Sequence, residues 1–94
     1  MVVGLATVTL RLSAVASLKD KRRVVRSVVA RIRNRYNVAI AEVDDLDAWT
    51  TATLGVAAVS NDAGHVHAML QKVARSIEEE RLDAELVDYA IEIL

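Results

Sequence analysis

Residues 17–36, SLKDKRRVVRSVVARIRNRY, repeat Val25, Val28, Val29, Ile32 and Tyr36 at intervals of three and four. On a helix of about 3.6 residues per turn this spacing makes one apolar stripe, extended at its start by Leu18, and the stripe has to be buried. The same stretch carries eight of the chain's twelve basic residues. At roughly 100° per residue, Lys19, Arg22, Arg26 and Arg33 fall together on one flank. Lys21, Arg31 and Arg35 turn toward the other flank, and Arg23 points outermost. A single helix is thus expected to be both a wall of the core and the most charged surface.

The segments on either side change period. Residues 2–12, VVGLATVTLRL, are β-branched and aliphatic with partial alternation, which predicts a strand buried on one face. A short loop, SAVA, follows. Ser17 and Asp20 have the serine-x-x-acid form of a capping box, so the helix is expected to begin near Leu18. It should stop around Tyr36–Asn37, where asparagine tolerates a left-handed cap. Strands are then predicted over 38–43 (VAIAEV) and 51–60 (TATLGVAAVS), joined by the acidic connection DDLDAWT. Gly55 inside the second of these suggests a bulge or a close approach of another backbone.

Ser60, Asn61 and Asp62 can each cap a second helix over about 62–80, whose stripe is Val66, Met69, Leu70, Val73 and Ile77. Glu78, Glu79 and Glu80 lie at the negative pole of its dipole, so fraying or a basic neighbour is expected there. The last segment, DAELVDYAIEIL, alternates, with Val87, Tyr89, Ile91 and Ile93 on one side and Asp88 and Glu92 on the other. A fourth strand is predicted.

The order is therefore βαββαβ in a single domain, residues 1–94. Right-handed crossovers around each helix put the first and third strands at the centre. The expected fold class is α+β: a ferredoxin-like antiparallel sheet of order 4-1-3-2 with both helices on one face. The length suits one small core, here aliphatic, since the chain has no Phe and its aromatics are only Trp49, Tyr36 and Tyr89.

Charge is split along the chain. Residues 1–41 hold nine basic residues against Asp20 alone, and residues 42–94 hold three against twelve acidic ones, although the net charge is −1. Such asymmetry points either to a polyanion-binding face or to neutralisation across the domain. The absence of cysteine excludes thiolate catalysis, disulfides and zinc–sulfur sites. No secretory leader is legible after Met1, and no apolar run reaches the roughly 18 residues of a membrane span. A cytoplasmic protein is expected.

SLKDKR, RNRYNVAIAEVD, the Trp49 region, TLGVAAVSND and the closing alternating strand together resemble the YlxP-like family of small bacterial proteins, over essentially the whole chain. The resemblance implies a ferredoxin-like fold and a gene neighbourhood among translation-initiation and ribosome-maturation genes. It brings no catalytic or ligand residues with it.

Known functions of this topology make specific demands. An acylphosphatase needs a Gly-rich phosphate loop after the first strand, where this chain has SAVAS. Amino-acid-binding regulatory domains also tend to use a glycine there. An RNA-recognition motif needs aromatics on its two central strands, and strands one and three have none. His65 and His67, two positions apart on a helix, face different directions and suit the helix surface better than a shared metal. Glu42, Asp44, Asp45 and Asp47 could hold a hard cation, but a calcium loop wants a glycine for its sharp turn, so a solvated acidic loop is favoured. No enzyme activity, metal or cofactor is expected.

What remains is binding. Lys19, Lys21, Arg22, Arg23, Arg26 and Arg33 are the candidate contacts to ribosomal or other structured RNA, neutralising successive phosphates with little sequence preference. The competing reading pairs these cations with the chain's own acidic half. Homodimerisation is a further expectation, through an edge strand or through the sheet face away from the helices. That face would carry residues such as Val3, Leu5, Thr7, Thr53, Gly55, Ala57 and Leu86, or their alternates. Trp49 is then either an interface anchor or a lid on the core.

Overall fold

The computed structural model describes residues 1–80 and 83–94. Six elements follow in the expected order: β1 (Val2–Leu12), α1 (Leu18–Arg35), β2 (Ala39–Asp44), β3 (Thr51–Ser60), α2 (Ala63–Glu80) and β4 (Ala84–Ile93). All strand pairings are antiparallel, and the sheet order is β2-β3-β1-β4, the ferredoxin-like arrangement.

Register decides which half of each strand meets the helices. On β1, Ala6, Val8, Leu10 and Leu12 are buried, and on β3 Ala52, Leu54, Val56 and Ala58 are buried opposite them. Val66, Leu70, Val73 and Ile77 of α2 and Val24, Val25, Val28 and Ile32 of α1 complete one aliphatic core. The alternate residues of β1 and β3, with Val3 paired to Val59, Leu5 to Ala57 and Thr7 to Gly55, lie on the face that no helix covers. Among the described residues no helix is long and apolar enough to cross a membrane.

Four local expectations are corrected. Leu86 pairs with Leu10 and packs against the core, so it does not belong to the open face. Between Thr9 and Leu10 the β1–β4 register slips by one residue at Val87, and Tyr89, Ile91 and Ile93 then fall opposite Val8, Ala6 and Gly4. The extra residue interrupts the alternation expected through Val87 and keeps both Leu86 and Ile91 against the core. At Gly55 the β1–β3 pairing is unbroken; the irregularity lies in β2, and a Cβ at Gly55 would come within 2.9 Å of a Val43 methyl. The glycine thus makes room for a side chain rather than for a bulge of its own or another backbone.

The end of α1 is the fourth correction. Tyr36 terminates it in an extended conformation (φ −127°), its N–H still donating to the Ile32 carbonyl, in place of a left-handed Asn37. The Tyr36 hydroxyl then meets buried Ser76 of α2 at 2.5 Å, tying the two helices together. Asp62 caps α2 through its side chain to Gly64 N–H (3.3 Å) and its carbonyl to Val66 N–H (3.1 Å). Helix α2 runs to Glu80, and the fraying or basic neighbour expected at its acidic end falls at residues 81–82, outside the described residues.

Candidate nucleic-acid interface

The first turn of α1 is fixed by its cap. Ser17 Oγ accepts from the Asp20 N–H at 3.1 Å, and Asp20 Oδ2 accepts from the Ala16 N–H at 3.3 Å, a variant of the expected capping box. Beyond it the helix buries one stripe and leaves Lys19, Arg22, Arg23 and Arg26 exposed. Among the described residues these four form no ion pair.

Lys21 is a different case and corrects the sequence reading. It was expected beside the other phosphate contacts; it is instead fully buried, with its Nζ 2.9 Å from Glu42 Oε2 and donating to the Asp45 carbonyl. The reason is geometric. Lys21 lies four residues before Val25, seven before Val28 and eleven before Ile32, so it sits on the centre of the buried stripe. Only a carboxylate carried on the helix-facing side of β2 makes such a position tenable. Glu42 provides it, although its Oε2 is itself buried and accepts no hydrogen bond.

Arg33 is exposed but committed. Its Nη2 donates to the Ile40 carbonyl on β2 at 3.0 Å, bridging the end of α1 to the edge of the sheet. This bond occupies a backbone acceptor of an edge strand, and the irregularity at Val43 further spoils that edge. Edge pairing through β2 is disfavoured accordingly.

Between α1 and β2 runs an open groove of about 420 Å³. Arg22, Arg26 and Arg33 form its charged rim, Val25, Val29, Ala30 and Ile40 supply its apolar lining, and Glu42, the partner of Lys21, also borders it. The flank that helical spacing assembled from Arg22, Arg26 and Arg33 thus exists as one surface, and the edge strand opposite it adds a wall. Lys19 and Arg23 lie outside this groove on the same helix.

Three acidic residues of the 42–47 segment are used inside the fold. Glu42 serves Lys21, Asp44 Oδ1 accepts from the Asp45 N–H at 2.8 Å, and Asp45 Oδ2 accepts from Thr53 Oγ1 at 2.7 Å. Asp45 also takes a left-handed φ of 57° in the turn. Arg11 meets Glu85 at 3.7 Å with both side chains about two-thirds exposed (68% and 66%), a pair of small energetic value. Arg35 lies 5.6 Å from the centroid of the Tyr36 ring. His65 and His67 are exposed on α2, and no three described His, Asp or Glu side chains converge as metal ligands.

The remaining candidates lie elsewhere. Val3 and Leu5 face away from the helices, as expected of the open sheet, and Leu5 is 38% exposed. Trp49 is 52% exposed in the β2–β3 loop and belongs neither to the core nor to the side chains packed on it, so it is not a lid. Sequence reasoning missed the Lys21–Glu42 pair and the role of Ile40. A signal for the first was available in the spacing of Lys21 from Val25 and Val28; for the second there was none.

Comparison with known proteins places the chain in a family. Residues 3–91 match the family described as "Protein of unknown function (DUF503)". Over 62 residues the chain is 37% identical to the "Uncharacterized protein YlxP" of Bacillus subtilis (strain 168), covering 66% of this chain and 67% of that protein. With residues 3–91 inside the family match, the chain belongs to the DUF503 family, in keeping with the YlxP-like resemblance of its sequence.

Proposed function

We propose that this chain is a non-enzymatic RNA-binding domain that grips the phosphate backbone of ribosomal or other structured RNA through the exposed cationic flank of α1. One observation carries the reading. Lys19, Arg22, Arg23 and Arg26 have no carboxylate partner among the described residues, whereas Glu42, Asp44 and Asp45 are engaged with Lys21, with Thr53 and with their own backbone. Internal neutralisation therefore accounts for Lys21 and leaves these four cations without a function in the fold. Unpaired cations in a row along a helix are suited to successive phosphates. The translation-linked gene neighbourhood implied by the family resemblance fits the same partner.

The test is binding of the purified protein to ribosomal subunits and total RNA across a salt series. Arg22→Glu/Arg23→Glu/Arg26→Glu is the informative variant, because all three side chains are exposed and Lys21 and Arg33, which hold the fold, are untouched. The wild type should lose affinity steeply with salt. Losing three phosphate contacts should flatten the log K against log[salt] slope by about two to three. Unchanged affinity in a folded triple variant would sink the proposal.

A second reading, self-association, has its own observation. Leu5, Val43 and Val59 on the uncovered sheet face are 38%, 56% and 58% exposed, around a shallow apolar depression that includes Gly55 and Ala57. A sheet of three strands of ten or eleven residues and one of six offers roughly 600 Å² per protomer, near the lower bound for a specific interface. Light scattering should then give about twice the 10.3 kDa chain mass, reverting to monomer in Val43→Lys/Val59→Lys. A monomer at high concentration removes this reading.

A further inference from the structure

We propose that the groove between α1 and β2 is a nucleotide pocket, so that the RNA this domain takes contains an unpaired nucleotide lodged beside the helix. The inference rests on the RNA-binding reading and specifies which form of RNA fits.

The groove combines two chemistries that a bare phosphate would not use together. Its rim carries Arg22, Arg26 and Arg33, and its lining is aliphatic, from Val25, Val29 and Ile40, apart from Glu42, whose charge is balanced by buried Lys21. An anion alone would meet only the rim. A ligand that uses both must join a phosphate to a flat, weakly polar body, which describes a nucleotide. The volume, about 420 Å³, is of the size of small-ligand sites.

The two central strands offer no stacking surface, because β1 and β3 contain no aromatic residue. Guanidinium planes can replace aromatic rings against an unstacked base, and a guanidinium is most useful when its position is fixed. Arg33 meets that condition, its Nη2 held on the Ile40 carbonyl at 3.0 Å. Arg22 and Arg26, one helical turn apart on the same rim, have no ion-pair partner among the described residues and are available to the flanking phosphates. In an A-form duplex the base faces are stacked and paired, so none can lie against Val29. A single strand, a bulge or a frayed end can present one.

The experiment compares three probes on the intact chain at matched salt: an oligoadenylate single strand, the blunt duplex it forms with oligouridylate, and adenosine monophosphate. The variant is Ala30→Leu. Ala30 is exposed on α1 and lines the groove, leucine is a good helix former, and no charge changes. The expected result is binding of the single strand about tenfold tighter than the duplex, as one stacked base would give. Ala30→Leu should abolish that preference and leave the salt slope unchanged.

Equal affinity for both forms, or a preference indifferent to Ala30→Leu, would overturn the pocket while leaving the phosphate-binding helix intact. If neither RNA form binds at low salt, the RNA reading fails. Monophosphate binding weakened by Ala30→Leu would in that case still support a nucleotide pocket serving free nucleotide, and absence of monophosphate binding would overturn it too.

Discussion

Replacing Lys21 with methionine should destabilise the folded chain by about 3 kcal/mol, the low end of the roughly 3–5 kcal/mol that follows removal of one member of a buried ion pair. The low end applies because Glu42 keeps 13% of its side-chain surface in water while Lys21 keeps none. What makes the change costly is the partner left behind. Glu42 would remain between helix and sheet with no cation, and the Asp45 carbonyl would lose its donor. For a domain of this size each kcal/mol lowers Tm by about 4–8 °C, so a fall of roughly 12–24 °C is expected.

The double variant Lys21→Met/Glu42→Leu separates the pair's contribution from the penalty of breaking it. Removing both charges into apolar groups of similar volume should bring stability back to within about 1–2 kcal/mol of the wild type. Thermal and urea unfolding of the three proteins decide the matter. A single variant as stable as the wild type would mean that Lys21 is not buried in solution.

The second large effect is expected at Gly4. A methyl group there would collide with Val66 Cγ1 and lie 3.0 Å from Leu70 Cδ1 and 3.1 Å from Ile93 Cδ1. Val66 and Leu70 are fully buried, and valine has almost no rotameric freedom on a helix, so the clash cannot be relieved by a side-chain swing. Helix α2 would have to lift from β1. Gly4→Ala should therefore cost about 1–3 kcal/mol, the usual penalty of overpacking. Val66→Ala in the same chain removes the atom in the way, so the double variant should be more stable than the sum of the two single losses predicts. Strict additivity of the two losses, measured by chemical denaturation, would show that α2 does not approach Gly4 as closely as described.

Gly4 also shows why some features could not be read in advance. A glycine near the start of an apolar strand is unremarkable until a second element, some sixty positions later in the chain, lands on it. Gly55 is similar: the glycine was noticeable, but the object that needs its space, the Val43 side chain, belongs to a neighbouring strand. Leu86 was assigned to the wrong face because one extra residue at Val87 reverses the parity of everything before it, and nothing local announces such a shift.

Lys21 is the opposite kind of miss. Its spacing from Val25, Val28 and Ile32 placed it on the apolar stripe, and its charge argued against that placement. The conflict is resolved only by Glu42, twenty-one positions away in sequence and 2.9 Å away in space. The exposed members of the candidate site were legible because helical geometry alone gathers Arg22, Arg26 and Arg33 on one flank. The groove they border was not, since its other wall is β2.

Sequence by itself determined the six elements, their order and the sheet topology, because apolar periodicity is a local property and right-handed crossovers leave few ways to connect such elements. It also determined which helix carries the positive charge. Tertiary structure decided which of those charges is spent inside the fold, which is held on a strand carbonyl and which remain exposed. Burial, ion pairing and groove shape depend on residues distant in the chain, and their energies exist only once packing has removed water from between them.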